Sequence, residues 1–387
     1  MSVALVHEWL TTLGGAERVL EVLCELFPRA PLYTLVWDAR AETRRLTDGR
    51  EVRASFLQYL PGACRFHRVY LPLMPLAIES LDLNGYEVVV SSSHAVAKGV
   101  RTRFDQLHIS YVHTPMRYAW DLENVYVDGI AAGKVGGMLV RALLHYLRAW
   151  DVATANRVDV FVTNSKHVAG RIWKVYRRRA RVIYPPVDVD RFTARAEREE
   201  FYVTVSRLVR YKRVDLVVEA FARLGRPLVV VGEGPELRNL RRIARANVRL
   251  VGWQPEEVVR GYLERAKAFV FAAEEDFGIG LVEAQAAGAP VIAYGRGGAL
   301  ESVVEGETGL FFYEQRAEAL VEAVLEFERR RGQFSLERIR ANAERFRKER
   351  FQREFMDLVE REWERFRKRL QRLGQGYRER ETLGPRG

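Results

Sequence analysis

The chain of 387 residues is long enough for two domains of ordinary size, each with its own hydrophobic core. Its formal net charge of +11 indicates an anionic partner, and leaves open nucleic acid, an anionic membrane surface and a phosphorylated substrate. The only cysteines, Cys24 and Cys64, lack metal-ligand spacing, so the sequence suggests neither a disulfide framework nor a zinc site.

The start of the chain and its hydropathy bear on localisation. The run from Met1 to Trp9 is short and strand-like, without the basic stretch and long apolar stretch of a signal peptide. No uninterrupted apolar run reaches the roughly 20 residues that span a bilayer. We therefore expect a cytoplasmic protein, with any membrane contact peripheral and at the inner face of the plasma membrane.

The first half of the chain alternates short apolar runs with helical patterns, as in a doubly wound parallel sheet. A strand from Val3 to Val6 leads through Gly14 and Gly15 into a helix. This turn lacks the Gly-x-Gly-x-x-Gly fingerprint, so nicotinamide or flavin binding loses its main support. A simple turn and a ligand contact fit the two glycines equally well. Further strands are predicted at 31–37, 87–91, 109–113 and 158–164.

A polar and aromatic cluster begins where one of these strands ends, at His113. Arg117 and Asp121 follow it and, like His113, could bind a sugar or a phosphate, while Tyr118 and Trp120 offer flat apolar surfaces. Because open α/β sheets bind ligands at the carboxyl ends of their strands, the cluster is a candidate site. A packed loop with a hydrogen-bonded histidine is the alternative.

Segment 66–83 mixes Arg68 with apolar side chains and is interrupted by Pro72 and Pro75. Basic residues beside apolar ones suit a lipid interface. The pattern favours the other interpretation, a helix that packs on the core and is broken by proline.

A second alternation of strands and helices begins at Phe201. Its first strand, 202–205, leads to Arg207 and Lys212, which suit a diphosphate or are ordinary surface charges. The second and third strands, 228–231 and 248–251, are closed by Gly232 and Gly252. A fifth strand is predicted at 291–294.

The stretch 274–288 follows the fourth strand, 268–272. Glu275 precedes a predicted short helix and Glu283 lies inside it. Gly278 and Gly280 let the backbone approach a ligand closely, and the start of the helix offers N–H groups to an anion. The stretch therefore predicts a ligand with phosphate and hydroxyl groups, although an ordinary turn with solvated acids remains the alternative.

The second half resembles the retaining glycosyltransferases of the GT-B fold. The resemblance rests on a Glu-x7-Glu signature at Glu275 and Glu283, on Arg207 and Lys212, on Gly-Glu-Gly-Pro from 232, and on a glycine-rich run at 297–309. In the first half, Gly-Gly-Ala-Glu at 14–17 and the nine residues from His113 are similar to bacterial enzymes that build polysaccharide or O-antigen chains, often with mannose.

The resemblance implies an α/β protein of GT-B type, with two Rossmann-like domains facing a central cleft and a C-terminal helix packing back on the first domain. The expected limits are 1–190 for the acceptor-binding domain, 199–345 for the nucleotide-sugar-binding domain, 346–373 for the returning helix and 374–387 for a disordered tail.

The resemblance also implies a division of roles at the site. Arg207 and Lys212 would hold the diphosphate, and Glu283 the ribose. Glu275 and the backbone of Phe277, Gly278 and Ile279 would hold the sugar hydroxyls, with His113 against the reacting sugar. The expected reaction moves a hexose, with mannose from GDP-mannose as the best guess, to a hydroxyl of a glycan or lipid-linked acceptor.

No metal, separate cofactor or nucleic acid is expected, since the chain lacks an Asp-x-Asp metal motif near either crevice and cations replace Mg²⁺ in this family. A nucleotide-sugar epimerase of the same fold and a non-catalytic nucleotide-sugar-binding subunit are the competing classes. A nucleic-acid binder would explain the charge but not the paired glutamates beside a glycine turn.

Overall fold

The computed structural model describes residues 1–39, 43–121 and 133–382. These residues form two compact units. The first contains Met1–Asn164, Val168–Ile183 and the chain from Gln352 onward, and the second contains Ser165–His167 and Tyr184–Phe351.

The first unit is built on a seven-stranded parallel sheet with strand order β3-β2-β1-β4-β5-β6-β7. The strands are β1 Val3–Leu10, β2 Leu32–Trp37, β3 Val52–Ala54, β4 Val88–Ser93, β5 Leu107–Val112, β6 Val160–Thr163 and β7 Ala180–Val182. Strands β1, β4 and β5 are nearly continuous runs of buried residues, as expected for strands covered on both faces. The order reverses between β1 and β4, which places a ligand crevice at their carboxyl ends.

The second unit repeats this plan with six parallel strands in the order β10-β9-β8-β11-β12-β13. They are β8 Tyr202–Val205, β9 Leu228–Val231, β10 Val248–Gly252, β11 Ala268–Phe271, β12 Val291–Tyr294 and β13 Gly309–Phe312. Here the order reverses between β8 and β11. Both units therefore have the doubly wound, Rossmann-like topology that the alternating pattern predicts.

The α-helices connect and cover the strands. They are α1 Gly15–Leu26, α2 Arg44–Thr47, α3 Ala63–Phe66, α4 Met74–Glu79, α5 Arg117–Trp120, α6 Gly133–Thr154, α7 Lys166–Tyr176, α8 Val214–Leu224, α9 Leu237–Ile243, α10 Glu256–Arg265, α11 Ile279–Ala286, α12 Ala299–Ser302, α13 Ala317–Arg330, α14 Leu336–Glu344 and α15 Lys348–Thr382. Short 3₁₀ turns occupy 56–59, 67–73, 97–99, 155–157, 189–191, 210–212 and 331–333. Across the described ranges, we find no helix whose length and apolar content would let it cross a bilayer.

The C-terminal helix belongs to the first unit from Gln352 onward, as predicted. Phe355 is fully buried, with its ring centroid 6.4 Å from that of Tyr111 in β5. The helix extends to Thr382, whereas a disordered tail was expected from 374; of that tail, residues 383–387 lie outside the described residues. The chain passes from the first unit to the second after Ile183 and returns to the first after Phe351.

Segment 66–83 is not one helix broken by proline. It passes through a 3₁₀ turn at 67–73 and then the short helix α4. Met74, Ala77 and Ile78 are buried, so part of the segment packs on the core as predicted, while Val69 and Leu76 are exposed. The expected core contact and an exposed apolar surface are both present.

Candidate functional site

The reversal of strand order in the second unit brings together two of the predicted side chains. Lys212 lies on the 3₁₀ turn after β8, and Glu275 follows β11. Because β8 and β11 are neighbouring strands, the Lys212 Nζ forms an ion pair with Glu275 Oε1. Both side chains are mostly buried, so this is a built pair at the crevice and not a chance surface contact.

Arg207 lies closer to β8 and is exposed. One of its guanidinium nitrogens donates to the Tyr211 hydroxyl at 2.8 Å. The side chain is therefore oriented by a neighbour on its own loop while its remaining N–H donors are available to an anion.

The loop that carries Glu275 is fixed through its backbone. The Glu275 carbonyl accepts a hydrogen bond of 2.8 Å from the Gly298 N–H, and Glu275 pairs with Gly297 in a parallel bridge. A Cβ atom on Gly298 would lie 2.2 Å from the Phe277 Cα. Only glycine fits there, so the loop after β12 sets the position of the Glu275 loop.

The next residues place the start of α11. Phe277 is buried, with its ring 5.3 Å from that of Phe346 between centroids, so its side chain anchors the loop and leaves its backbone to contact a ligand. Gly278 is the residue before α11 and has φ of 84°, a left-handed conformation that favours glycine. The first turn, which begins at Ile279, has no side-chain cap, so its N–H groups suit an anion. Glu283 is half-buried on the same helix.

Gly232 and Gly252 close β9 and β10, as predicted. Gly232 donates a 2.8 Å hydrogen bond to the Gly252 carbonyl, and a Cβ on Gly232 would lie 1.9 Å from the Ser206 carbonyl oxygen. The need for glycine at 232 is therefore explained by close packing against the loop that leads to Arg207. Gly252 requires glycine for a different reason, its φ of 74°.

In the first unit, Gly14 and Gly15 form the turn that starts α1. The Gly14 N–H donates to Glu17 Oε2 at 2.8 Å, and Glu17 is buried. This glycine turn thus holds a carboxylate at the carboxyl end of β1, beside the crevice of the first sheet.

His113 directly follows β5 and is 8% exposed. Its backbone N–H donates to the Ser93 carbonyl at 2.8 Å, and its ring Nε2 lies 2.9 Å from the Ser92 Oγ. Burial lowers the pKa of His113 to about 3, so the ring is neutral at physiological pH. It is a hydrogen-bonded histidine, and it also stands at the strand end where ligands bind.

Two other members of the polar cluster after β5 have structural partners. The Trp120 Nε1 donates to Asp151 Oδ2 at 2.8 Å, and Asp121 is ion-paired with Arg171. Asp151 also lies 2.9 Å from the fully buried Lys98 Nζ. Trp120 thus belongs to a buried charge cluster, which accounts for its place in the sequence without a ligand.

A group of residues that the sequence did not single out as a site lies at the β1–β4 reversal. Glu8 Oε1 accepts hydrogen bonds from the N–H groups of His94, Ala95 and Ala97 and from the Ser93 hydroxyl, at 2.8 to 3.1 Å. Burial raises the pKa of Glu8, but His94, His7 and these donors outweigh it and hold the pKa well below its usual range. Glu8 is a buried carboxylate.

His7 lies between Glu8 and Glu17. Its Nδ1 is 3.8 Å from Glu8 Oε2, and its Nε2 is 3.4 Å from Glu17 Oε1. Two features of the sequence pointed to this cluster. His7 and Glu8 stand late in the first apolar run, and Ser92 and His94 stand at the end of β4. Only the pairing of β1 with β4, in which His7 faces Ser92, brings them together.

Among the described residues, His7, Glu8 and His94 also have ligand-type atoms within 4.8 Å of one another, close enough to hold a metal ion. However, His7 Nδ1 lies 3.1 Å from the Ser92 carbonyl oxygen, which can only accept a hydrogen bond. That nitrogen therefore carries a proton, and the geometry favours a hydrogen-bonded cluster over metal ligation.

The fold consists of two Rossmann-like units, each with a reversal of strand order in its sheet, and comparison with known families gives its class. Residues 13–191 match the model described as Glycosyltransferase Family 4, and residues 188–346 match the model described as Glycosyl transferases group 1. The chain belongs to these glycosyltransferase families and has the GT-B fold.

Sequence relatives include a GDP-mannose-dependent alpha-(1-6)-phosphatidylinositol monomannoside mannosyltransferase of Mycobacterium tuberculosis, 32% identical over 200 residues, which are 43% of this chain and 52% of the relative. A D-inositol 3-phosphate glycosyltransferase of Mycobacteroides abscessus is 29% identical over 203 residues, 46% of each chain. The chain thus spans about half the length of these curated relatives.

Solved structures support the fold over most of the chain. HepE of Anabaena in complex with UDP and glucose has a TM-score of 0.70 at 16% identity and covers 93% of this chain and 99% of its own. The lipopolysaccharide outer core galactosyltransferase WaaB has a TM-score of 0.64 at 16% identity, covering 94% of this chain and all of its own.

Proposed function

We propose that the protein is a retaining hexosyltransferase that moves mannose from GDP-mannose to a hydroxyl of a glycan or lipid-linked acceptor. The observation that carries the proposal is the Lys212–Glu275 pair beside the uncapped start of α11, at the strand reversal of the second unit. It combines a cation, a carboxylate and backbone N–H donors, which a nucleoside diphosphate sugar requires. Mannose rests on the sequence relatives that use GDP-mannose.

The departing diphosphate is the first difficulty of such a reaction, because negative charge accumulates on it. Lys212, Arg207 and the first N–H groups of α11 are fixed before the substrate arrives and stabilise that charge as it develops. Without donor, Glu275 neutralises Lys212; with donor, the ammonium is shared between the carboxylate and the phosphate.

The sugar and the ribose are bound by carboxylates. Glu275 and the backbone of Phe277, Gly278 and Ile279 contact the sugar hydroxyls, and Glu283 contacts the ribose. Since Glu275 is already paired with Lys212, it serves better as a hydrogen-bond acceptor than as a nucleophile. Retention then follows from attack on the face that the diphosphate leaves. A covalent sugar adduct trapped on Glu275 would replace this mechanism with a double displacement.

The test is incubation with GDP-mannose, UDP-glucose and UDP-N-acetylglucosamine, each with and without a lipid-linked sugar acceptor. We expect GDP release from GDP-mannose that depends on the acceptor, with a product whose anomeric configuration by NMR matches the donor. We also expect EDTA to leave the rate unchanged, because cationic side chains replace Mg²⁺.

Other results of this experiment would favour a different class of protein or a different mechanism. An altered nucleotide sugar formed without acceptor would indicate an epimerase. Nucleotide binding without diphosphate release from any donor would indicate a non-catalytic binding subunit. Loss of activity in EDTA, restored by a divalent metal, would contradict the metal-independent reaction.

An anionic membrane surface fits the exposed side chains of one segment of the first unit, residues 56–79, which we call the apolar–basic patch. Between 56 and 79, large apolar side chains are exposed next to exposed arginines: Tyr59, Phe66, Val69, Leu73, Leu76, Arg65 and Arg68. Apolar side chains that enter the headgroup region, with cations attracted to anionic lipid, are typical of peripheral binding. We propose that the patch holds the enzyme at the membrane that carries a lipid-linked acceptor.

The double variant Val69→Asp/Leu76→Asp should lose most of its binding to liposomes containing phosphatidylglycerol at low salt, because two carboxylates would be placed against an anionic surface. Cosedimentation measures the bound fraction. Phe104→Asp is the matched control, since Phe104 is 84% exposed in the same unit but outside the patch. Equal binding of all three proteins, or no binding by the wild type, would contradict the membrane role.

A further inference from the structure

His7 is held between groups that accept hydrogen bonds at both of its ring nitrogens. Its Nδ1 lies 3.1 Å from the Ser92 carbonyl oxygen and 3.2 Å from the Ser92 Oγ, and its Nε2 lies 3.4 Å from Glu17 Oε1. A carbonyl oxygen and a carboxylate only accept, so both ring nitrogens carry protons. His7 is therefore an imidazolium.

The charges around His7 agree with this state. Glu8 Oε2 lies 3.8 Å from Nδ1, and Glu17 provides a second carboxylate. Burial raises the pKa of Glu17, but the hydrogen bond and charge of His7 outweigh it and leave the pKa below its usual range. His94 packs against His7, with ring centroids 5.7 Å apart, and its Nδ1 lies 3.2 Å from Glu8 Oε2. The two carboxylates thus compensate the buried cation.

The protonation of His7 determines the direction of the hydrogen bond between Ser92 and His113. Since the His7 Nδ1–H points to the Ser92 oxygens, the Ser92 hydroxyl accepts from His7 and directs its own hydrogen to the other neighbour, His113 Nε2, at 2.9 Å. His113 Nε2 is then the acceptor. A neutral histidine that accepts at Nε2 carries its proton at Nδ1.

We propose that His7 and Ser92 are positioning residues that hold His113 as the neutral Nδ1–H tautomer. In this state the Nε2 lone pair already accepts the hydrogen bond from Ser92, so His113 cannot serve as a base. It can still donate a hydrogen bond from its Nδ1–H. The inference deepens the proposed function, because it makes His113 a hydrogen-bond donor at the crevice of the first unit.

The tautomer can be measured without any substrate. The full-length protein, labelled with ¹⁵N at its 7 histidines, gives long-range ¹H–¹⁵N spectra that distinguish the two neutral tautomers from the imidazolium. We expect Nδ1–H for His113 and protons on both nitrogens for His7, with the signals assigned by His113→Asn and His7→Asn. An Nε2–H or charged His113, or a neutral His7, would overturn the proposal.

Two serine variants distinguish a positioning role of Ser92 from a purely structural one. Ser92→Ala should convert His113 from a single tautomer to a mixture. Ser91→Ala is the matched control, because Ser91 is equally buried on the same strand and its hydroxyl pairs with His108 Nε2 at 2.9 Å. It should change His108 and leave His113 as it was. An unchanged His113 spectrum in Ser92→Ala would overturn the proposal.

Glu17→Gln provides a second test if Ser92→Ala fails to fold. Glutamine keeps a side-chain oxygen for the Gly14 N–H, and so preserves the turn, but removes the charge that faces His7. We expect His7 to lose one ring proton and His113 to become a mixture of tautomers. Unchanged spectra would contradict the proposed series of hydrogen bonds from Glu17 to His113.

Activity provides an independent readout. Ser92→Ala should lower kcat about tenfold, as expected for one misdirected hydrogen bond, with the KM for GDP-mannose nearly unchanged. If the spectra behave as expected but no donor is turned over by the wild type, the proposed function fails and the tautomer assignment stands. If donors are turned over but the spectra differ, only this inference fails.

Discussion

Lys212→Ala should lower the turnover of sugar transfer by about 100-fold or more, because one fixed cation aimed at the departing diphosphate is typically worth a few kcal/mol of barrier. Lys212 is fixed by its ion pair with Glu275 and is only 15% exposed in its side chain, so a water molecule or mobile ion would not replace it well. Steady-state release of GDP from GDP-mannose measures the effect. Lys212→Arg should retain part of the activity, since the charge remains but the shape changes.

Lys267→Ala is the matched control for this prediction. Lys267 is also mostly buried and paired with carboxylates, Glu200 and Glu328, in the same unit, but it lies outside the proposed site. It should change thermal stability and not turnover in the folded protein. Near-normal turnover of Lys212→Ala would remove the phosphate role from Lys212.

Gly298→Ala should weaken the binding of GDP by at least about tenfold and lower the melting temperature. The added Cβ would lie 2.2 Å from the Phe277 Cα and 2.7 Å from the Asp276 carbonyl oxygen, so the backbone between Glu275 and Ile279 must move. Gly298 has φ of −67°, which alanine adopts readily, so the whole effect is steric. Overpacking of this kind destabilises a protein by about 1–3 kcal/mol. Calorimetric titration with GDP gives the affinity of the folded fraction.

Gly261→Ala controls for the substitution itself. Gly261 lies within α10, and a Cβ there meets no described atom within 4 Å. Alanine should stabilise the helix by about 0.5–1 kcal/mol and leave GDP binding unchanged. GDP affinity of Gly298→Ala equal to that of the wild type would show that the position of the Glu275 loop does not govern donor binding.

The sequence allowed much of this architecture to be predicted, because buried parallel strands are short apolar runs separated by glycines. β8, β9 and β12 begin and end at the predicted residues. The loops after β8 and β11 were recognised by their residue types, and their neighbouring strands account for the Lys212–Glu275 pair.

Other features had no local signal. The edge strand Val52–Ala54 has three residues, one of them arginine, and β13 begins at Gly309, the last residue of the glycine-rich run. The cluster of His7, Glu8, Ser92 and His94 joins residues about 85 apart through the register of β1 and β4. Periodicity within one segment carries no information about such pairing.

The assignment of the C-terminal helix to the first unit affects the order in which the protein completes its cores during synthesis. The second unit has all its residues once Phe351 has been added. The first, although most of it is synthesised earlier, lacks Phe355 against Tyr111 until later, and lacks the buried Phe366 for longer still. On the ribosome, the second unit can therefore finish folding first, while the core of the first unit stays incomplete although most of that unit is made earlier.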